Sequence, residues 1–138
     1  MDNILDMQDL RYLNLFNKVT KVNTRYCFNY NNTVMFFVPK VLIRKALGEE
    51  GRNIKYISEV LKRRIKIFPI PNGIEDAQKF IELLVSPVQF KKLEIGPNEI
   101  TVTAGMQSKA SLIGRDKRRL MEMQKIIRGF FGKDFKVA

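Results

Sequence analysis

The sequence predicts an α+β chain built from two copies of one unit, each with the element order α-β-β-α-α-β. Three observations carry that expectation. The stretch NTVMFFVP from Asn32 aligns with NEITVTAG from Asn98, an offset of 66 residues. Val34, Phe36 and Val38 fall on Ile100, Val102 and Ala104, so both stretches have the period-2 pattern of a strand with one buried face. At the same offset LGEEGRNIKYISEVL meets IGRDKRRLMEMQKII, with Gly48 on Gly114, Ile54 on Leu120, Ile57 on Met123, and Val60 and Leu61 on Ile126 and Ile127. Apolar residues at i, i+3, i+6 and i+7 mark one face of an amphipathic helix in both. The glycine before each such helix makes the third observation, a turn between two consecutive helices.

In chain order, a first helix carries Leu10, Leu13, Phe16 and Val19, and a strand follows around Arg25–Tyr30. An Asn31-Asn32 turn leads to the strand Thr33–Val38, then two helices and a closing strand IKIF. The sequence PIPNG interrupts both helix and strand, so the units divide at residues 1–71 and 72–138. The second unit opens with PNGIEDAQKFIELL, where Asn72 and Glu75 have the spacing of a capping box and Ala77, Phe80, Ile81 and Leu84 form the apolar stripe. The strand KKLEI, the turn Gly96-Pro97-Asn98, the strand EITVTA, two helices and the strand FKV complete it.

Composition narrows the function. Lys and Arg total 25 against 14 Asp and Glu in 138 residues, a net charge of +11. Such an excess points to a polyanionic partner, nucleic acid foremost. Histidine is absent, which removes His-based acid/base catalysis and His metal ligands. The one cysteine, Cys27, lies in the strand-like RYCFNY and reads as buried filler in a protein of the reducing cytosol. No metal site, cofactor or catalytic set emerges, so the expectation is a protein that is not an enzyme. No apolar run approaches the roughly 20 residues that span a bilayer. The acidic stretch Met1 to Asp9 does not resemble a signal peptide. A cytoplasmic protein without membrane contact is expected.

The two glycine turns carry the chemistry. Gly48 and Gly51 lack Cβ atoms, so a nucleic-acid backbone can approach the main chain, and the following helix presents its N-terminal N–H groups. Arg52 and Lys55 in its first turn, with Arg44 and Lys45 before the loop, supplement those donors. Glu49 and Glu50 oppose a phosphate by around 1 kcal/mol each in well-solvated surroundings. In the second copy GRDK keeps Gly114 and replaces the second glycine with Lys117, while Arg115, Lys117, Arg118 and Arg119 face the single acid Asp116. There close main-chain clamping is exchanged for charge. The first 71 residues hold 13 basic and 6 acidic side chains, so their charge lies largely away from the acidic loop, along Lys18, Lys21, Arg25 and Lys40. Lys62, Arg63 and Arg64 read as a solvated helix end that complements the helix dipole.

The element order and LGEEGRNI, matching I/L-G-x-x-G-K/R-N-I/V, resemble the type II KH domain. Two such domains in succession resemble the tandem KH module of NusA and, with nothing else attached, the short archaeal NusA-like transcription termination proteins. The resemblance covers nearly the whole chain. It implies a three-stranded mixed sheet with helices on one face in each unit. It also implies a non-catalytic protein that holds single-stranded RNA by its GxxG loops, contacting nascent transcript and modulating elongation or termination. Contact with RNA polymerase is implied by the resemblance alone. By the same resemblance Val41, Leu42, Ile43 and Leu47 are available as groove floor, although core packing is the favoured account of each.

Three other readings stand beside it. Loops that have lost RNA affinity would leave an adaptor for RNA polymerase or the ribosome, which GEEG favours and Arg115–Arg119 opposes. A reader of duplex DNA lacks a polar recognition face on its second helix. An enzyme has only Glu49 and Glu50 to offer, in an exposed turn.

Overall fold

The first unit starts with α1 (Met7–Thr20), whose first turn is closed by a capping box of two aspartates. Asp6 Oδ1 accepts from the Asp9 N–H at 2.8 Å, and Asp9 Oδ2 accepts from the Asp6 N–H at 3.4 Å. Next come β1 (Tyr26–Tyr30) and β2 (Thr33–Val38), joined by Asn31 and Asn32 at φ 52° and 59°. That left-handed pair makes a two-residue hairpin turn, in a conformation that asparagine tolerates better than most residues other than glycine. α2 (Ile43–Leu47) and α3 (Arg52–Leu61) then cross over to β3 (Arg64–Pro69), which pairs parallel with β2. A parallel partner needs such a crossover, and the sheet order becomes β1-β2-β3 with one antiparallel and one parallel pairing. The structure is a computed structural model describing residues 5–138, so the beginning of the acidic stretch, Met1 to Ile4, lies outside the described residues. The chain divides into one unit ending at Ile70 and another spanning Pro71–Ala138.

Val34, Phe36 and Val38 face Leu13 and Phe16 of α1, Ala46 of α2 and Ile57 of α3 in one core. The Phe16 and Phe36 rings stack with centroids 4.2 Å apart. Burying each of these large side chains contributes on the order of 2 kcal/mol. The expectation that β2 buries one face only is corrected, because all six of its residues are buried. Met35 and Phe37 occupy the other face, where Phe37 meets Phe28 edge-on at 5.8 Å and Phe68 at 5.7 Å. Leu10, assigned to the apolar face of α1, is 43% exposed.

The second unit repeats the order with α4 (Ala77–Val85), β4 (Lys92–Ile95), β5 (Glu99–Thr103), α5 (Met106–Ile113), α6 (Arg118–Phe131) and β6 (Asp134–Val137). Its sheet is β4-β5-β6 with the same directions, so the chain holds two three-stranded mixed sheets. Here the single-face pattern holds: Ile100 and Val102 are buried while Glu99, Thr101 and Thr103 are only partly covered. On the outer side Lys136 Nζ lies 3.0 Å from Glu99, which holds the amine above its ordinary lysine range through the hydrogen bond and the charge. Ala77, Phe80, Ile81 and Leu84 are all buried. The capping box assigned to Asn72 and Glu75 does not form. The Asn72 N–H donates to Asp76 Oδ2 at 2.7 Å, and a 3₁₀ turn, Ile74–Asp76, precedes α4.

The repeat slips between its helices and its last strand. Thr33 pairs with Arg64 and Glu99 with Asp134, so an offset of 66 on β2 and β5 becomes 70 on β3 and β6. α6 has 14 residues where α3 has 10, one additional turn. That turn places Phe130 and Phe131 edge-on against Phe80, at 5.3 Å and 5.6 Å. Where α3 ends, Val60 is 48% exposed, whereas Ile126 is fully buried, so the sequence alignment of those two residues does not carry into packing.

One cation after each helix C-cap braces the hairpin of its unit, at the turn in the second unit and at a strand residue of β1 in the first. Lys133 Nζ donates to the Gly96 and Pro97 carbonyls, both at 2.8 Å. In the first unit Arg63 donates to Asn29 Oδ1 at 3.1 Å and to the Tyr12 hydroxyl at 3.3 Å, so it is a brace rather than a solvated helix end. Replacing Lys133 with Met is expected to destabilise the fold by about 1 kcal/mol, the charge-assisted bonds being discounted for partial exposure. Urea unfolding of the variant measures this. Among the described residues no helix is long and apolar enough to cross a membrane.

Candidate nucleic-acid interface

The two glycine loops have one backbone. Gly48 sits at φ 77°, ψ 170° and Gly114 at φ 75°, ψ 172°. Glu50 and Asp116 share φ 55°, ψ 30°. Gly51 at φ 72°, ψ 20° is matched by Lys117 at φ 60°, ψ 21°. The hydrogen bonds match too. The Gly51 N–H donates to the Gly48 carbonyl at 3.1 Å, and the Lys117 N–H to the Gly114 carbonyl at 3.2 Å. Each loop opens into a helix, α3 or α6, with no side-chain cap, which leaves first-turn N–H groups for water or an anion. A left-handed lysine costs roughly 1 kcal/mol. Lys117→Gly is therefore expected to raise stability by up to about 1 kcal/mol, read as a higher urea midpoint.

Gly48 is constrained from inside the fold. A Cβ there would stand 2.8 Å from Asn53 Cγ. Asn53 Nδ2 donates to the Ala46 carbonyl at 3.1 Å, tying the last turn of α2 to the first turn of α3. Asn53 belongs to the motif LGEEGRNI without being one of the expected site residues, and its polar amide five residues after Gly48 is the sequence signal for this tie. Arg119 takes this place in the second loop, and a Cβ on Gly114 would lie 2.6 Å from its Cγ and 3.0 Å from its backbone nitrogen. At Gly51 a Cβ would meet nothing within 4 Å, so this is the glycine whose bare backbone faces open space.

Around the first loop, Arg44, Lys45, Glu49, Glu50, Arg52 and Lys55 are exposed. Glu49, Glu50, Arg52 and Lys55 line a shallow depression of about 380 Å³. Both signs of charge share that surface. Leu42 and Ile43 pack on the core, whereas Val41 is 88% exposed. Around the second loop, Arg115, Lys117 and Arg118 are exposed, and none takes part in an ion pair or side-chain hydrogen bond among the described residues. Arg119 is withdrawn from them. Its side chain is 16% exposed and ion-paired with Glu122, a partner that sequence reasoning also missed. The i, i+3 spacing of the two on α6 was the signal.

No protein-family model matches the chain. A probable transcription termination protein NusA of Halococcus morrhuae is 27% identical over 124 residues, covering 83% of this chain and 87% of that protein. The crystal structure of APE1850 covers 96% of this chain and 99% of its own, with a TM-score of 0.64 at 21% identity. Over most of its length, then, the chain is similar in sequence to a NusA protein and in fold to APE1850.

Proposed function

We propose that the chain is a non-catalytic RNA-binding protein of tandem type II KH domains, 1–71 and 72–138, that holds single-stranded RNA. The observation that carries this reading is the second loop: three exposed, unpaired cations, Arg115, Lys117 and Arg118, at an uncapped helix N-terminus. A KH loop with both glycines clamps the backbone of about four nucleotides and leaves the bases to an adjacent groove, and here charge takes the place of the second glycine. Guanidinium groups and the first-turn N–H donors supply the phosphate contacts. The first loop contributes Gly48, Gly51, Arg44, Lys45, Arg52 and Lys55, opposed by Glu49 and Glu50, and is the weaker of the two. Similarity to a transcription termination protein supports nascent transcript as the RNA, elongation or termination as the process, the cytoplasm as the location and RNA polymerase as a partner.

The test is anisotropy of a labelled single-stranded RNA titrated with protein from 50 to 300 mM salt, with duplex DNA as competitor. Binding tighter than about 100 μM with a steep salt dependence is expected. A flat salt dependence, or loss of the RNA to duplex DNA, overturns the reading. The exposed Glu49 and Glu50 favour a protein-binding adaptor as the second reading, and the absence of any RNA binding would select it.

A further inference from the structure

The cations of the second loop do not stop at the loop. Arg118, Met121 and Lys125 follow one another at i, i+3 and i+7 on α6, which puts all three on one helix face. All three are exposed, Met121 by 58%. Lys125 makes no ion pair or side-chain hydrogen bond among the described residues. The acid nearest this face, Glu122, is turned into its ion pair with Arg119, and Asp116 lies in the loop two residues before α6 begins. One turn further on, Arg128 is taken up by Asp134, with Nε at 3.0 Å and Nη2 at 2.7 Å from Oδ1, which closes the run of unpaired charge. The first unit has no such run. Arg52 and Lys55 are followed there by the exposed acid Glu59 at the position of Lys125, and α3 ends two residues later.

The geometry points to an RNA backbone track that leaves the second loop and continues along the outer face of α6, with Lys125 as a further phosphate contact and Met121 beneath a base between the two charges. This rests on the RNA-binding reading. Arg118 and Lys125 are about 10 Å apart along the helix axis. Stacked nucleotides advance about 3.4 Å each, so the two side chains meet different phosphates. Met121, a flexible thioether between them, offers a soft apolar surface to a base face.

Single-stranded RNAs of about four and about ten nucleotides, titrated against the full chain and its Lys125→Gln and Met121→Ala variants, test the track. For the longer RNA, Lys125→Gln should lower the salt slope by about 0.7 and the affinity about fivefold at 0.1 M salt, as one lost phosphate contact requires. The short RNA, filled by the loop, should not distinguish the variant from the parent. Met121→Ala should weaken the longer RNA about threefold with the salt slope unchanged. Both positions are exposed, so circular dichroism of the variants should match the parent. If Lys125→Gln leaves the longer RNA unaffected while loop variants lose it, the track is wrong and the RNA-binding reading stands. If the parent binds neither RNA with a salt-dependent affinity, that reading fails and the track with it.

Discussion

Replacing Arg115, Lys117 and Arg118 together with glutamine lowers the affinity for single-stranded RNA about 100-fold at 0.1 M salt. Each phosphate neutralised on a single strand adds about 0.7 to the salt slope, so three lost contacts remove about two logarithmic units at that concentration. Arg119 is kept in this variant because its side chain packs over Gly114 and pairs with Glu122, and its loss would confuse binding with folding. The reciprocal change in the first loop, Glu49→Lys with Glu50→Gly, is expected to strengthen binding by far less. Relieving two solvated carboxylates removes around 1 kcal/mol of opposition each, further reduced by screening. Binding that survived the triple change would move the main grip away from the second loop.

The strands and the glycine loops were legible in the sequence because their signals are local. Alternation in EITVTA, the Asn31-Asn32 pair and the spacing from Gly48 to Gly114 each express a backbone requirement within a few residues. Less legible was whatever depends on a distant partner. Met35 and Phe37 break the alternation of β2 because both faces of that strand are covered, which a period-2 reading of Val34, Phe36 and Val38 passes over. The additional turn of α6 is invisible in an alignment anchored on the loops, since its reason is the contact of Phe130 and Phe131 with Phe80 about fifty residues earlier. Capping followed the same rule. Asp6 and Asp9 form the reciprocal pair with two short carboxylates, while Asn72 and Glu75 have suitable spacing but precede a 3₁₀ turn. In the candidate site Arg115, Lys117 and Arg118 are exposed, as local charge in a turn leads one to expect. Arg119 differs by one position, and on a helix one position is 100° of rotation, enough to carry it from solvent to Glu122.

The glycine series separates what the fold needs in these loops from what RNA needs. Gly114→Ala is expected to destabilise the protein by roughly 3 kcal/mol. About 1–3 kcal/mol comes from placing an L residue at φ 75°, ψ 172°, and a further share from the clash with Arg119, whose backbone nitrogen would lie 3.0 Å from the new methyl group. Gly48→Ala shares the backbone strain, but its clash is with the Asn53 amide, a side chain that can turn aside at the expense of its bond to the Ala46 carbonyl, so a somewhat smaller loss is expected. Gly51→Ala meets open space and should cost only about 1 kcal/mol, the left-handed penalty that Lys117 already bears in the other loop. Urea unfolding should therefore order the variants Gly114→Ala, Gly48→Ala, Gly51→Ala from most to least destabilised. RNA affinity should order them differently if Gly51 is where a ligand backbone comes close, because there the methyl group intrudes on solvent rather than on protein. An equal loss of stability at Gly51 and Gly114 would mean that the first loop is packed more tightly than its open side indicates.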